Sequence, residues 1–237
     1  MFPSLGVLFV WRARDFLWLF LFLHRKDLRK EILIVSLLIG IGGPLSELWY
    51  LRDYWQPETF NGWPIGIEDF LFGFFIGGIA SSIYEELFGK SHSKRIDRKH
   101  HWSWFIIPVI GFSIFVLNLL IFVFGVNSIY ASIVVFVTLA LLILYFRHDL
   151  LIDSLMSGLL VGVIMFFGYL LFLTIFPEAI HRWWILQNIS GILILGVPLE
   201  ELLWAFGWGM VGGPMYEFFA GLKFKKVWEF AAKEKLV

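Results

Sequence analysis

Seven apolar stretches, at residues 3–24, 30–51, 64–88, 102–125, 128–147, 150–176 and 184–222, run through this chain of 237 residues. Each is long enough to cross the hydrocarbon core of a bilayer, which takes about 20 helical residues. Hydrocarbon offers the backbone no water to bond, so spans of this kind must be helices. With 59% hydrophobic and 16% charged residues, the chain lies far from the soluble average of about 45–50% apolar and about 25% charged. Mean hydropathy is +0.80. The expected fold class is all-α, a polytopic membrane protein with seven transmembrane helices. A formal net charge of zero points to no nucleic acid or acidic partner; the bilayer is the partner expected. There is no cysteine, which excludes disulfides, thiol catalysis and Cys-ligated metal. No basic leader with a small-residue cleavage site precedes the first stretch, so Met1 onward reads as mature chain.

The distribution of Lys and Arg fixes an orientation through the positive-inside rule. Arg25, Lys26, Arg29 and Lys30 follow the first stretch, Lys90, Lys94, Arg95, Arg98 and Lys99 the third, Arg147 the fifth, and Lys223, Lys225, Lys226, Lys233 and Lys235 the seventh. All four groups fall on one side, against Arg52 and Arg182 on the other. The protein is expected in the plasma membrane with its N-terminus outside and its C-terminus in the cytoplasm. Arg12, Arg14 and Asp15 interrupt the first stretch; Arg12 and Asp15, three apart, can pair with each other.

The sequence also repeats. Glu68, Asp69, Leu71, Phe74, Gly77, Tyr84, Glu85 and Gly89 recur 132 positions later as Glu200, Glu201, Leu203, Phe206, Gly209, Tyr216, Glu217 and Gly221. Arg25, Asp27, Leu28, Leu33, Leu37, Leu38 and Gly40 recur 122 positions later as Arg147, Asp149, Leu150, Leu155, Leu159, Leu160 and Gly162. This reads as two parallel three-helix repeats, 1–90 and 127–223, joined by a linker with a fourth helix at 91–126 and followed by a cytoplasmic tail at 224–237. The last stretch is far too long for one straight span, and Pro198 ahead of Glu200 and Glu201 marks a new helix start near Gly196 to Pro198.

Acids in such segments need a reason, because a charge at the centre of a spanning helix costs about 2.5 to 3.5 kcal/mol on insertion scales. The bland reading is that Glu68, Asp69, Glu200 and Glu201 complement a helix macrodipole. That explains one acid per helix but not two duplicated pairs. The functional reading is an acid that burial beside a like charge leaves able to donate a proton. At i and i+4, Glu200 aligns with Trp204 and Trp208, and Glu68 with Phe72. Aromatic faces there can stabilise a carbocation, although such stripes also serve packing. Catalytic candidates are therefore Glu200, Glu201, Glu68 and Asp69. Substrate-contact candidates are Trp204, Trp208, Phe72, Phe74, Phe206 and Glu47, the last lacking an acidic counterpart in the second repeat. Because Arg12, Arg14 and Asp15 also belong to one repeat only, the first pair of acids is expected to be ion-paired and the second to be the better proton donor. Tyr84-Glu85 and Tyr216-Glu217, near the cytoplasmic ends, suit snorkelling or helix–helix hydrogen bonding as well as chemistry.

The run WPIGIEDFLFGFFIGGIASSIYEEL, its copy VPLEELLWAFGWGM and the tryptophan-bearing WYLRDYWQPETFNG resemble the lycopene cyclase domain family, from about Arg25 to Gly221 excluding the fourth helix. That family carries a PLEE-type motif in each repeat; here the first reads GIED. The resemblance implies an intramolecular lyase or isomerase that cyclises the open end of a linear carotenoid to a β-ionone ring by acid initiation. No electrons are exchanged, so neither flavin nor nicotinamide is expected, and no Gly-rich dinucleotide motif is present. Two alternatives compete. A membrane prenyl-protein protease with an EExxxR motif would need arginine where Ala205 stands, and His24, His92, His100, His101, His148 and His181 fall at helix ends or in loops, leaving no buried set for a metal. A parallel-repeat small-molecule transporter would place its site at the repeat interface and show a polar path.

Overall fold

The structure, a computed structural model, describes residues 15–58, 62–94 and 106–226. The expectations for Arg12, Arg14, Arg95, Arg98, Lys99, Lys233 and Lys235 lie outside these residues. The protein is mostly helical: α1 (Asp15–His24), α2 (Arg29–Asp53), α3 (Ile67–Ala80), α4 (Ile83–Leu87), α5 (Ile106–Asn118), α6 (Ser128–Phe146), α7 (Leu151–Ile175), α8 (Ala179–Trp183), α9 (Leu199–Gly212) and α10 (Met215–Ala220). Among the described residues, five segments, against the seven expected, are long and apolar enough to cross a membrane: Arg29–Asp53, Ile67–Leu87, Ile106–Val123, Ser128–Phe146 and His148–Ile175. Their outward faces carry exposed Leu, Ile and Phe, such as Leu37, Ile41, Phe115, Leu141 and Ile152.

The structure departs from all-helix in two places. Residues 184–198 hold a 3₁₀ turn at Leu186–Asn188 and a short hairpin of β2 (Leu193–Ile194) and β3 (Val197–Pro198), not helix. Gly191, Leu195 and Gly196 have positive φ, which no right-handed helix accepts. A second antiparallel pair joins β1 (Lys90–Lys94) to β4 (Leu222–Lys226), with His92 opposite Phe224 at its centre. The helix expected at 64–88 turns at Ser81 and Ser82, between α3 and α4.

Two sets of contacts recur at paired positions of the sequence. Arg25 donates to both carboxylate oxygens of Asp27, at 3.0 and 2.9 Å, and to the Lys90 carbonyl. Arg147, 122 positions on, donates to both oxygens of Asp149, at 2.7 and 2.8 Å, and to the Leu222 carbonyl at 2.7 Å. Gly77 and Gly209 occupy equivalent close approaches. A Cβ on Gly77 of α3 would stand 3.2 Å from the Val35 carbonyl of α2, and one on Gly209 of α9 would stand 2.6 Å from the Ser157 carbonyl of α7. Only glycine admits the α9–α7 approach, which brings the motif helix onto its neighbour. The fourth helix, α5, buries no residue and is a peripheral strut.

Most of the described Lys and Arg gather at the end where β1 pairs with β4. The opposite end is tied by Asp53, whose carboxylate accepts the Ser128 hydroxyl at 2.6 Å and whose carbonyl accepts the side-chain amides of Asn127 and Asn188, each at 2.9 Å.

Candidate active site

A cavity of about 460 Å³ opens between α2, α3, α7 and α9, near the Asp53 end. Three buried carboxylates line it: Glu47 from α2, Asp69 from α3 and Glu201 from α9. Half-buried Glu68 joins them. Each is placed by local chemistry. Asp69, at the third helical position of α3, accepts the Gly66 backbone N–H at 2.8 Å, closing the first turn as a capping-box acid does. Glu68 folds back over Gly66. Glu201 stands in the first turn of α9 behind Pro198, a start set by the fixed φ of proline.

Neutral donors hold these acids. Glu201 Oε1 accepts from the Tyr54 hydroxyl and from Trp184 Nε1 at 2.8 Å, and Trp184 Nε1 also lies 3.1 Å from the Tyr54 oxygen. Glu47 Oε2 accepts from Trp55 Nε1 at 2.9 Å. Trp55 and Trp184 meet at a β-bridge with ring centroids 5.3 Å apart, joining the donor of one acid to the donor of the other. Trp204 Nε1 donates to the Tyr50 hydroxyl at 2.8 Å, and its ring faces Phe72 at 6.0 Å. Indole and phenol donors suit this place because they satisfy a carboxylate without adding a charge, while their rings keep the wall apolar.

Among the sequence candidates, Glu201, Glu68, Asp69, Glu47, Trp204 and Phe72 therefore come together at the cavity. Glu200 lies behind its wall, where Oε1 accepts from the Tyr130 hydroxyl at 2.6 Å and from the Ser190 N–H at 2.9 Å. Trp208 packs among Ile76, Val161, Met165 and Ala205. Phe74 packs at an angle against Trp18 and edge-on to Phe75, and Phe206 fills the approach at Gly158. The motif reading did not single out Tyr54 or Trp184. Tyr54 lies within the quoted WYLRDYWQPETFNG stretch, whereas Trp184 enters only through the long-range bridge to Trp55.

Along α7, Val163, Phe167 and Leu171 line the cavity and are 43%, 63% and 42% exposed on the apolar flank. Among the described residues, the cavity thus meets the outside of the bundle on a greasy side. Acids in an enclosed aromatic wall, reached from a hydrocarbon-facing flank, can protonate an apolar substrate and shelter the cation from water.

Residues 127–219 match the family model described as lycopene cyclase. No curated protein and no solved structure matches the chain.

Proposed function

With a lycopene cyclase family domain at residues 127–219 as the premise, we propose that this chain closes the open end of a linear carotenoid or related isoprenoid into a β-ionone ring. The observation that carries the proposal is the cavity, where Glu47, Asp69 and Glu201 share one aromatic chamber. Nothing in its geometry favours the transporter alternative.

Of the second motif pair, Glu201 faces the cavity and is assigned as the proton donor. It protonates the terminal trisubstituted double bond to give a tertiary cation. The neighbouring double bond attacks that cation to form the six-membered ring, and the cation moves onto the ring. Loss of a ring proton to a second carboxylate, Asp69 or Glu47, restores neutrality, and the recovered proton resets the site. No electron is transferred. Trp204 and Phe72 stabilise the cation through their ring faces. Glu68 lines the same cavity, while Glu200 holds Tyr130 and the Ser190 loop against the start of α9. Trp208, Phe74 and Phe206 support the wall from behind.

The proposal extends to architecture. Two three-helix repeats, 1–90 and 127–223, flank the segment 91–126 in a seven-span arrangement, with the basic β1–β4 end and the tail at 224–237 in the cytoplasm of a plasma-membrane protein. The matched Arg25 and Arg147 contacts and the paired glycine approaches support this reading. Expression in a lycopene-accumulating host tests the function: a cyclised pigment is expected, and unchanged lycopene would overturn it. In deuterated water the new ring acquires one deuterium at the carbon first protonated. A cyclised product with no solvent deuterium would overturn the acid-initiated mechanism.

A further inference from the structure

A second group of buried acids lies at the other end of α2. Glu31 from α2, Glu85 from α4, His92 from β1 and Glu217 from α10 present ligand atoms that all lie within 4.8 Å of one another. Glu31 is 1% exposed, and Glu85 and Glu217 are 0% exposed. His92 Nε2 contacts Glu217 Oε1 directly and lies 3.5 Å from Glu31 Oε2. Neither oxygen of Glu31 or of Glu85 has a hydrogen-bond partner in another residue, and Glu217 Oε2 also has none. Asp153, 1% exposed, stands close enough to repel Glu31, Glu85 and Glu217, and its Oδ2 has no hydrogen-bond partner.

A buried carboxylate without a partner is among the most unfavourable arrangements a fold can contain. The two nearby arginines relieve it only in part: Arg25 attracts Glu31 and Glu85 through space but hydrogen-bonds to neither. Arg25 spends its donors on Asp27 and the Lys90 carbonyl and reaches Glu86 at 3.5 Å; Arg147 spends its donors on Asp149 and the carbonyls of Glu217 and Leu222. Among the described residues, the His92 imidazole is in direct contact with the carboxylates. The spacing matches a different solution. Ligands on opposite sides of a cation bound at about 2.0–2.4 Å lie about 4–4.8 Å apart.

We propose that Glu31, Glu85, His92 and Glu217 bind one divalent transition-metal cation of the Mn²⁺ to Zn²⁺ kind, with Asp153 supplying further negative charge beside it. Three carboxylates with one imidazole suit such ions better than an all-oxygen Mg²⁺ or Ca²⁺ site. Three ligands come from the chain before residue 95 and the fourth from α10, so the ion joins the two halves at the end where β1 pairs with β4. The site is distinct from the cavity and does not depend on the cyclase reading.

Full-length protein in detergent micelles, stripped with a chelator and reloaded with Mn²⁺ or Zn²⁺, provides the test through elemental analysis and thermal melting. About one equivalent of metal is expected. Saturation at about 100 times Kd should raise the melting temperature by about 5 to 10 °C. Glu85→Gln and His92→Gln should bind less than a tenth of the wild-type metal and lose the thermal response, whereas Glu47→Gln, at the cavity, should keep both. Wild-type protein that binds no metal and melts identically with and without Mn²⁺, Zn²⁺ and chelator would overturn the proposal, since protons then neutralise the cluster. Retention of metal by both cluster variants would overturn the assignment of ligands. If either variant fails to fold, titration of wild-type protein still decides, and Glu31→Gln replaces it. None of these readouts involves a carotenoid, so they stand or fall apart from the cyclisation assay.

Discussion

Two sets of buried carboxylates lie at opposite ends of α2, Glu31 and Glu47 being about 24 Å apart at 1.5 Å per helical residue. At the cavity, Glu47 and Glu201 each accept from an indole, and Glu201 accepts from a tyrosine as well. At the basic end, Glu31 and Glu85 have no donor from another residue, and the group that touches the cluster is itself a metal-ligand type. The difference teaches that burial alone does not define what an acid is for. Neutral donors around a void leave a carboxyl addressed to a guest, whereas packed, unpartnered carboxylates call for a cation or for protons that stay.

The largest effect should come from Glu201→Gln. The amide keeps the size of the side chain and some of its hydrogen bonding but cannot donate the proton, so turnover should fall by about 10² to 10⁴, the usual range for general acid–base groups. Melting temperature and metal content should stay at wild-type values. Product formation per unit protein checks the first, and melting with elemental analysis checks the second. A Glu201→Gln protein that cyclises at the wild-type rate would remove the distinction between an active and an inert carboxylate set.

Tyr54→Phe sharpens the same comparison at smaller scale. It deletes one hydrogen bond to Glu201 and leaves Trp184 in place. Hydrogen bonds to charged groups are worth about 1.5–3 kcal/mol, so turnover should fall by roughly 10- to 100-fold. The response to Mn²⁺ should not move. A loss as large as that of Glu201→Gln would instead assign Tyr54 a direct part in proton transfer.

Much of this contrast was legible in the chain, and the remainder has identifiable causes. Long uninterrupted apolar runs gave α2, α6 and α7 to within about three residues, because one hydrocarbon thickness sets their length. The run ILIL reads as helix ahead of the break expected near Gly196 to Pro198, but the positive φ of Leu195 and Gly196 makes it part of a hairpin. The strands KSHSK and LKFKK lack an apolar alternation along their whole length and find partners about 130 residues away. The rule that an acid in a span needs a reason led to Glu201, Asp69 and Glu47. It did not lead to Tyr54 and Trp184, because aromatic residues near a span's end are common at membrane interfaces. The i and i+4 rule joined Trp208 to Glu200, yet the helix carries that ring below the cavity into packing. His92 follows a helix in sequence and reads as a loop residue; only the pairing of β1 with β4 brings it among the glutamates.

The smallest effect, and the finest test of the basic end, concerns Asp27. Its carboxyl lies outside the spans, and although burial raises its pKa, hydrogen bonding and the positive charge of Arg25 outweigh that and hold it below the ordinary 3.8. A carboxylate whose folded pKa is depressed contributes stability above its unfolded pKa and loses that contribution as pH falls through the lower folded value. The Asp27 side chain is 44% exposed, so solvent screens the pair to about 0–1 kcal/mol. Asp27→Asn should then lower the melting temperature at pH 7 by no more than about 4 °C. That deficit should persist at pH 5 and shrink only once the pH falls below the ordinary 3.8. The metal contribution should behave differently, because carboxylate and imidazole ligands must release protons to bind. Between pH 7 and 5 the stabilisation by Mn²⁺ should shrink in wild type and in Asp27→Asn alike, while the difference between the two proteins stays constant. Melting curves at pH 7, at pH 5 and below pH 3.8, with metal and with chelator, separate the two behaviours. If the Asp27→Asn deficit disappeared by pH 5 together with the Mn²⁺ effect, the arginine pair and the glutamate cluster would be one titrating unit, and the two ends of α2 would differ less than their hydrogen bonds imply.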